Sequence, residues 1–184
     1  MSRLQDVAAQ VAERHLAVVM PNRWRHVQAV ARKAAGLGAL AARDADLLVA
    51  AAWLHDIGYA PTITDTGFHA LDGARWLRAS GYNLRLAALV AYHSCAQYEA
   101  DERGLGGALE AEFPCELSPT ADALWYADMT TGPDGQDLTV KDRLAEIRNR
   151  YGPDDLVTRF WERAEPALID SIRRTEERIA NQPM

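Results

Sequence analysis

The sequence predicts an all-α helical bundle, and three observations predict it. Ala, Leu, Arg and Glu dominate the chain, and these are strong helix formers. No stretch alternates apolar and polar residues at the period of two that a half-buried strand requires. Breakers such as Pro21-Asn22, Gly36, Gly58, Pro61, Gly81 and Gly152-Pro153 fall at helix-length intervals.

The elements follow in order. An amphipathic helix runs to about Met20 and is broken by Pro21-Asn22. A second covers about 23–35 and stops at Gly36-Leu37-Gly38. Asp44 is placed to cap a third, which runs to Gly58-Tyr59-Ala60-Pro61. "TITDTG" reads as a loop. A fourth helix covers about 68–79, and a fifth covers about 84–100 without interruption. "DERGLGGALEAEFPCELSP" reads as loop with a short helical turn. Helix resumes over about 120–131, and "GPDGQD" is a turn-rich loop. Thr139 can cap "VKDRLAEIRNRY". A long last helix covers about 154–181, with a kink expected at Pro166. No repeat, linker or low-complexity tract divides the chain, so the 184 residues read as one domain. Its core covers about 23–131 and a helical extension about 139–182.

Composition narrows the function. Hydrophobic residues are 48% and charged residues 25%, as in globular proteins, and the net charge is −6 with no Lys/Arg block. Bulk electrostatics therefore disfavour a nucleic-acid polymer or an anionic membrane as partner. No apolar run approaches the roughly 20 residues of a membrane-spanning helix. "MSRLQDVAAQVAERHL" lacks the apolar core of a secretory signal, so the expected location is the cytoplasm and Cys95 and Cys115 are expected as free thiols. Leu156, Phe160 and Trp161 on the last helix can pack on the core or on a second copy of the chain, leaving a homodimer open.

The chemistry lies where polar residues interrupt apolar helices. "ADLLVAAAWL", "LRLAALVAY" and "ADALWYA" are apolar over most of their circumference and belong in a core. Each leads into a ligand-type residue: His55-Asp56, His93 and Asp128. A buried unpaired carboxylate is costly, so Asp56 and Asp128 need a cation. An arginine such as Arg143 can supply it for Asp128, and His93 can simply donate to a backbone carbonyl. A divalent metal with imidazole co-ligands is the other solution. Mixed His/Asp ligation suits Fe, Mn, Ni, Co or Zn better than Ca or Mg. His26, early on the second helix, and His69, three residues before Asp72, extend the candidate set, whereas His15 reads as ordinary. No GxSxG nucleophile elbow is present.

The order His26, His55-Asp56, Asp128, with the pair following an apolar helix and Asp128 in "YAD", resembles the HD domain superfamily over about 23–128. The resemblance implies an all-α HD-type bundle, divalent metal, and hydrolysis of phosphate esters through a metal-activated water. It places His26, His55, Asp56 and Asp128 on a first ion. His69 in "HALDG" and His93 in "AYHS" match members with a second ion, which Asp56 would bridge. No carboxylate follows Asp56 before Asp65, unlike the alarmone hydrolases, and Tyr59 stands where the cyclic-dinucleotide phosphodiesterases usually have Lys. The expected function is a metal-dependent phosphohydrolase acting on a nucleotide or other small phosphate ester. A di-iron oxygenase of the same superfamily, acting on a small organic substrate, is the alternative. Lys141, with Arg143, is placed to close over phosphate. Asp72 is a candidate acid or an orienting partner of His69.

Overall fold

The computed structural model describes residues 3–182, and among these the architecture is all-α, with one isolated bridge between Thr131 and Asp137. Helix α1 (Arg3–Leu16) buries the stripe Ala8, Ala12 and Leu16, spaced four residues apart on one face. It ends before the expected Met20. Helix α2 (Pro21–Gly36) opens with proline at its first turn, where the missing N–H is no loss, and buries His26, Val27, Val30, Ala31 and Ala34. A short helix α3 (Gly38–Ala41) that no sequence signal marked follows, then a 3-10 turn at Ala42–Asp44.

Helix α4 (Ala45–Leu54) is the centre of the bundle. Leu48, Val49, Ala50, Ala51, Ala52 and Leu54 are all buried, so little of its circumference faces solvent. It packs on α1, α2, the later α6 (Leu84–Ala91) and α9 (Pro119–Met129). Burying each Leu on it contributes roughly 1.5–3 kcal/mol. The helix stops at His55-Asp56, and a 3-10 turn covers Ile57–Tyr59. At Gly58 an added Cβ would lie 2.0 Å from the His69 carbonyl oxygen and 2.6 Å from the Gly73 nitrogen. Only glycine lets helix α5 (His69–Ala79) lie this close to the turn.

The expected fifth helix is two helices. After α6 the chain breaks at Tyr92–Cys95 and resumes as α7 (Ala96–Glu102). Ser94 (φ +47°) and Cys95 (φ +62°) sit in the left-handed region, which costs a non-glycine residue about 1–2 kcal/mol. Helix α8 (Gly106–Glu112) occupies the stretch expected to be mostly loop.

Side chains cap the later helices as their residue types predict. Ser118 Oγ accepts from the Ala121 N–H at the start of α9, Thr139 Oγ1 from Asp142 at α10 (Val140–Tyr151), and Asp155 Oδ1 from Val157 at α11 (Leu156–Ala180). Pro166 lies inside the continuous α11. The core has two parts. The larger surrounds α4, and the smaller joins Cys95, Met129, Leu144, Ile147, Phe160, Trp161 and Leu168. Phe160 and Trp161 thus pack within the chain, with Leu156 against them. Both cysteines are free, Cys95 buried and Cys115 exposed. Among the described residues, no helix is long and apolar enough to cross a membrane.

Candidate metal centre

Five elements deliver six ligand-type side chains to one spot. His26 comes from the first turns of α2, His55 and Asp56 from the end of α4, and His69 from the start of α5. His93 comes from the break after α6, and Asp128 from the last turn of α9. His26, His55, Asp56, His93 and Asp128 are buried, and His69 is half-buried.

The two oxygens of Asp56 face different histidines. Oδ2 lies 3.3 Å from His55 Nε2 and 3.9 Å from His26 Nε2. Oδ1 lies 3.6 Å from His69 Nε2 and 4.0 Å from His93 Nε2. His26, His55 and Asp56 make one triad able to hold an ion, and Asp56, His69 and His93 make a second. Asp128 Oδ1 stands beside the first triad, 3.0 Å from His26 Nε2 and 3.8 Å from His55 Nε2. Two donor atoms bound to one ion at about 2.1 Å lie roughly 3.0–3.4 Å apart, so these spacings need only slight contraction.

The imidazoles are oriented as ligands. Nδ1 of His26 donates to the Gly132 carbonyl at 3.0 Å, Nδ1 of His55 to Ala52 at 2.8 Å, and Nδ1 of His93 to Val90 at 2.6 Å. A carbonyl only accepts, so the neutral ring keeps its proton on Nδ1 and turns the Nε2 lone pair inward. His55 Nε2 is buried with no hydrogen-bond partner. His69 and His93 point Nε2 at each other across 3.2 Å, an arrangement that needs a proton or a cation between them. These features fit a divalent metal.

The charges agree. Burial would raise the Asp56 carboxyl, but Arg23 and His55 outweigh it and hold Asp56 well below the usual carboxylate range. Burial would likewise raise Asp128, but its contacts with His26 and His55 outweigh burial and hold it well below the usual carboxylate range. Burial alone would lower His55, yet the Asp56 and Asp128 carboxylates push it up to about 9. Without a metal the two carboxylates therefore hold a proton on His55, and a divalent ion would replace that proton. Burial, then the neighbouring His93, holds His69 well below the ordinary histidine value, and burial with His55 lowers His93. Both rings are then neutral, the form a metal takes.

Asp72 does not face His69. Its carboxylate accepts the backbone N–H groups of Asp65, Thr66 and Gly67 and the Thr66 hydroxyl, at 2.7–3.1 Å. It organises the loop before α5, and the acid or orienting role expected of it is replaced by this one. Lys141 is exposed and lies outside the cavity at the centre, which Arg143 lines in its place. Asp128 pairs with His26 and accepts the Ser94 hydroxyl, rather than pairing with Arg143. His15 approaches Thr62 and packs edge-on against Trp76, away from the centre.

The chamber over the centre has a volume of about 190 Å³ and is walled by further side chains. Tyr59 stacks on His69 with ring centroids 4.1 Å apart, and the Arg23 guanidinium lies over the Tyr59 ring at 4.1 Å while donating to Asp56 Oδ2 at 2.7 Å. Ser94 enters because of the left-handed break, which no Gly or Pro announces. Glu99 on α7 is buried on the chamber wall; burial pushes its carboxyl up, and the ion pair with Arg103 only partly offsets this. Its one sequence signal is an acid six residues beyond His93. Arg150, Tyr151, Phe160 and Trp161 complete the wall from α10 and α11.

No curated protein and no solved structure matches the chain significantly. The family model for the HD domain matches residues 23–147, a span that contains all six converging side chains. Since that span is more than half of the chain, and its histidine-aspartate pair stands at the middle of the buried centre, this protein belongs to the HD domain family.

Proposed function

We propose that the chain is a metal-dependent phosphohydrolase acting on a nucleotide or other small phosphate ester. The observation that carries this reading is Asp56, shared between two histidine triads beneath an arginine-lined chamber. His26, His55, Asp56 and Asp128 would hold one ion, and Asp56, His69 and His93 a second. Fe, Mn, Ni, Co and Zn all suit this donor set. Such ions supply Lewis acidity and make water a nucleophile near neutral pH.

The chain's own residues do the rest. The Ser94 hydroxyl fixes one oxygen of Asp128, and Arg23 fixes one oxygen of Asp56. Arg103, Arg143 and Arg150 place positive charge around the chamber, where phosphoryl oxygens would be held. Apolar side chains of Met129, Ile147, Phe160 and Trp161 limit water. In hydrolysis the ester P–O bond breaks, a water oxygen forms the new P–O bond, and a proton goes to the leaving oxygen. Glu99, a chamber carboxyl raised by burial, is the donor we assign. The chamber volume of about 190 Å³ and the net charge of −6 support a small molecule over a polymer as substrate.

The test is a phosphate-release screen over mono- and dinucleotides and simple phosphate esters, using protein loaded with each metal in turn. Release that chelation abolishes is expected, with an alkaline limb that Glu99→Gln flattens because an acid is needed in its protonated form. No release from fully loaded protein, with oxygen uptake in the presence of an organic substrate, would replace this reading with the oxygenase.

A further inference from the structure

A second cavity, of about 580 Å³, lies against the same centre through His26. Its wall includes Val19, Met20, Pro21 and Pro133, with Asn22 and Asp134 among the polar residues. Arg23, Arg143 and Arg150 line both cavities and so form the partition between them.

Arg143 is the unusual member of that partition. Its residue exposure is 6%, yet its guanidinium is largely unused. Nη1 is held by Glu146, one turn along α10, and Nε is buried with no hydrogen-bond partner. The Glu146 carboxylate also holds Arg150, so the two arginines are fixed side by side. The unpaired edge of Arg143, Nε with Nη2, has the geometry of a fork that matches two oxygens of a phosphate, and the closed-off Nε meets them once the side chain turns toward the chamber. A buried donor left unsatisfied is destabilising, which marks this edge as built for something that completes it.

The two volumes divide a substrate. Pockets for organic ligands run from about 300 to 1,000 Å³, a range that includes the second cavity and excludes the metal-side chamber. Resting on the phosphohydrolase reading, we propose that Arg143 anchors the substrate's phosphate at the partition. The substrate is then an organic monophosphate whose phosphoryl group lies on the metal side and whose organic part fills the second cavity. Arg143 is thus a binding residue, and the second cavity sets the size of substrate accepted. Hydrolysis would leave inorganic phosphate against Arg143 and the alcohol on the far side.

Calorimetric binding of inorganic phosphate to the metal-loaded full chain tests the anchor without turnover. Arg143→Ala is expected to weaken phosphate binding at least about tenfold with unchanged metal content. Arg143→Lys keeps the charge but lacks the fork, and is expected to recover only part of the loss. If Arg143→Ala fails to fold in circular dichroism, Arg143→Lys carries the test alone. Asn22→Trp, at the exposed rim of the second cavity, is expected to raise KM for a nucleoside monophosphate and leave phosphate binding unchanged. Phosphate bound equally by wild type and both Arg143 variants overturns the anchor, and the hydrolase reading survives if phosphate esters are still cleaved. An unchanged KM in Asn22→Trp overturns the division of the substrate. Phosphate held through Arg143 by a protein that cleaves no ester overturns the hydrolase reading and leaves the anion site standing.

Discussion

Asp56 links the two halves of the centre because its two oxygens diverge, one toward His26 and His55 and the other toward His69 and His93. Replacing it removes a donor from both triads, whereas replacing His93 touches only one. Asp56→Ala is therefore expected to reduce metal content to near zero and activity by more than about 100-fold. His93→Ala is expected to lose about one ion per chain and keep the other. Elemental analysis of protein purified without chelator reads both. Equal loss in the two variants would contradict the shared-carboxylate arrangement. Residues this far apart in sequence could be proposed from type and context alone, since acids rarely end apolar helices without a partner. The orientation of each ring was not legible, because Gly132, Ala52 and Val90 accept through backbone carbonyls that any residue would offer.

The turn after α4 sets how elements meet. Gly58 touches the backbone of His69 and Gly73, so the histidine-aspartate turn and the start of α5 are locked together. A methyl group there meets backbone, which cannot rotate away. Gly58→Ala is expected to push α5 outward, lowering thermal stability by roughly 2–4 kcal/mol. It should also weaken the His69 and His93 side of the centre more than the His26 side. A melting curve and metal content measured together check this, and an unchanged melting point would mean the turn has slack. Sequence reading marked Gly58 only as a helix stop. Its contact partner lies eleven residues on, and proximity of that kind is set by packing. The same limit explains the break at Tyr92–Cys95. "AYHSCA" carries no Gly or Pro to mark a break, and only the surrounding bundle forces Ser94 and Cys95 left-handed so that His93 and Ser94 reach the centre.

Across the whole molecule, α11 closes the second core against α9 and supplies part of the chamber wall. A charge network centred on buried Asp122 fastens it: Asp122 on α9 accepts from Ser171, Arg174 and Arg178. Burial would raise the Asp122 carboxyl, but these hydrogen bonds outweigh it and hold it below the ordinary value. A carboxylate lowered on folding stabilises the protein above its unfolded value, and that contribution fades as pH falls through the folded value. Because the arginines are about one-third exposed, Asp122→Asn is expected to cost only roughly 1–3 kcal/mol at pH 7. The gap between variant and wild type should narrow as pH falls below about 4. Thermal melts from pH 7 to pH 3 measure it, and a constant gap would show that the network contributes nothing through charge.

Periodicity, helix formers and breakers determined by themselves that this chain is helical and where most helices begin and stop, because those signals act over one or two turns. The sequence also determined that His55-Asp56, His93 and Asp128 close apolar helices, since burial of such groups has few physical solutions. Only the tertiary structure decided that Asp72 ties down a loop, that Lys141 stays in solvent, and that Arg143 lines two cavities with its Nε unpaired. Other contacts of the centre join residues 34 to 106 apart, as with Ser94 on Asp128 and His26 on Gly132. A side chain's partner at such separation is fixed by how whole helices pack, and no local pattern encodes it.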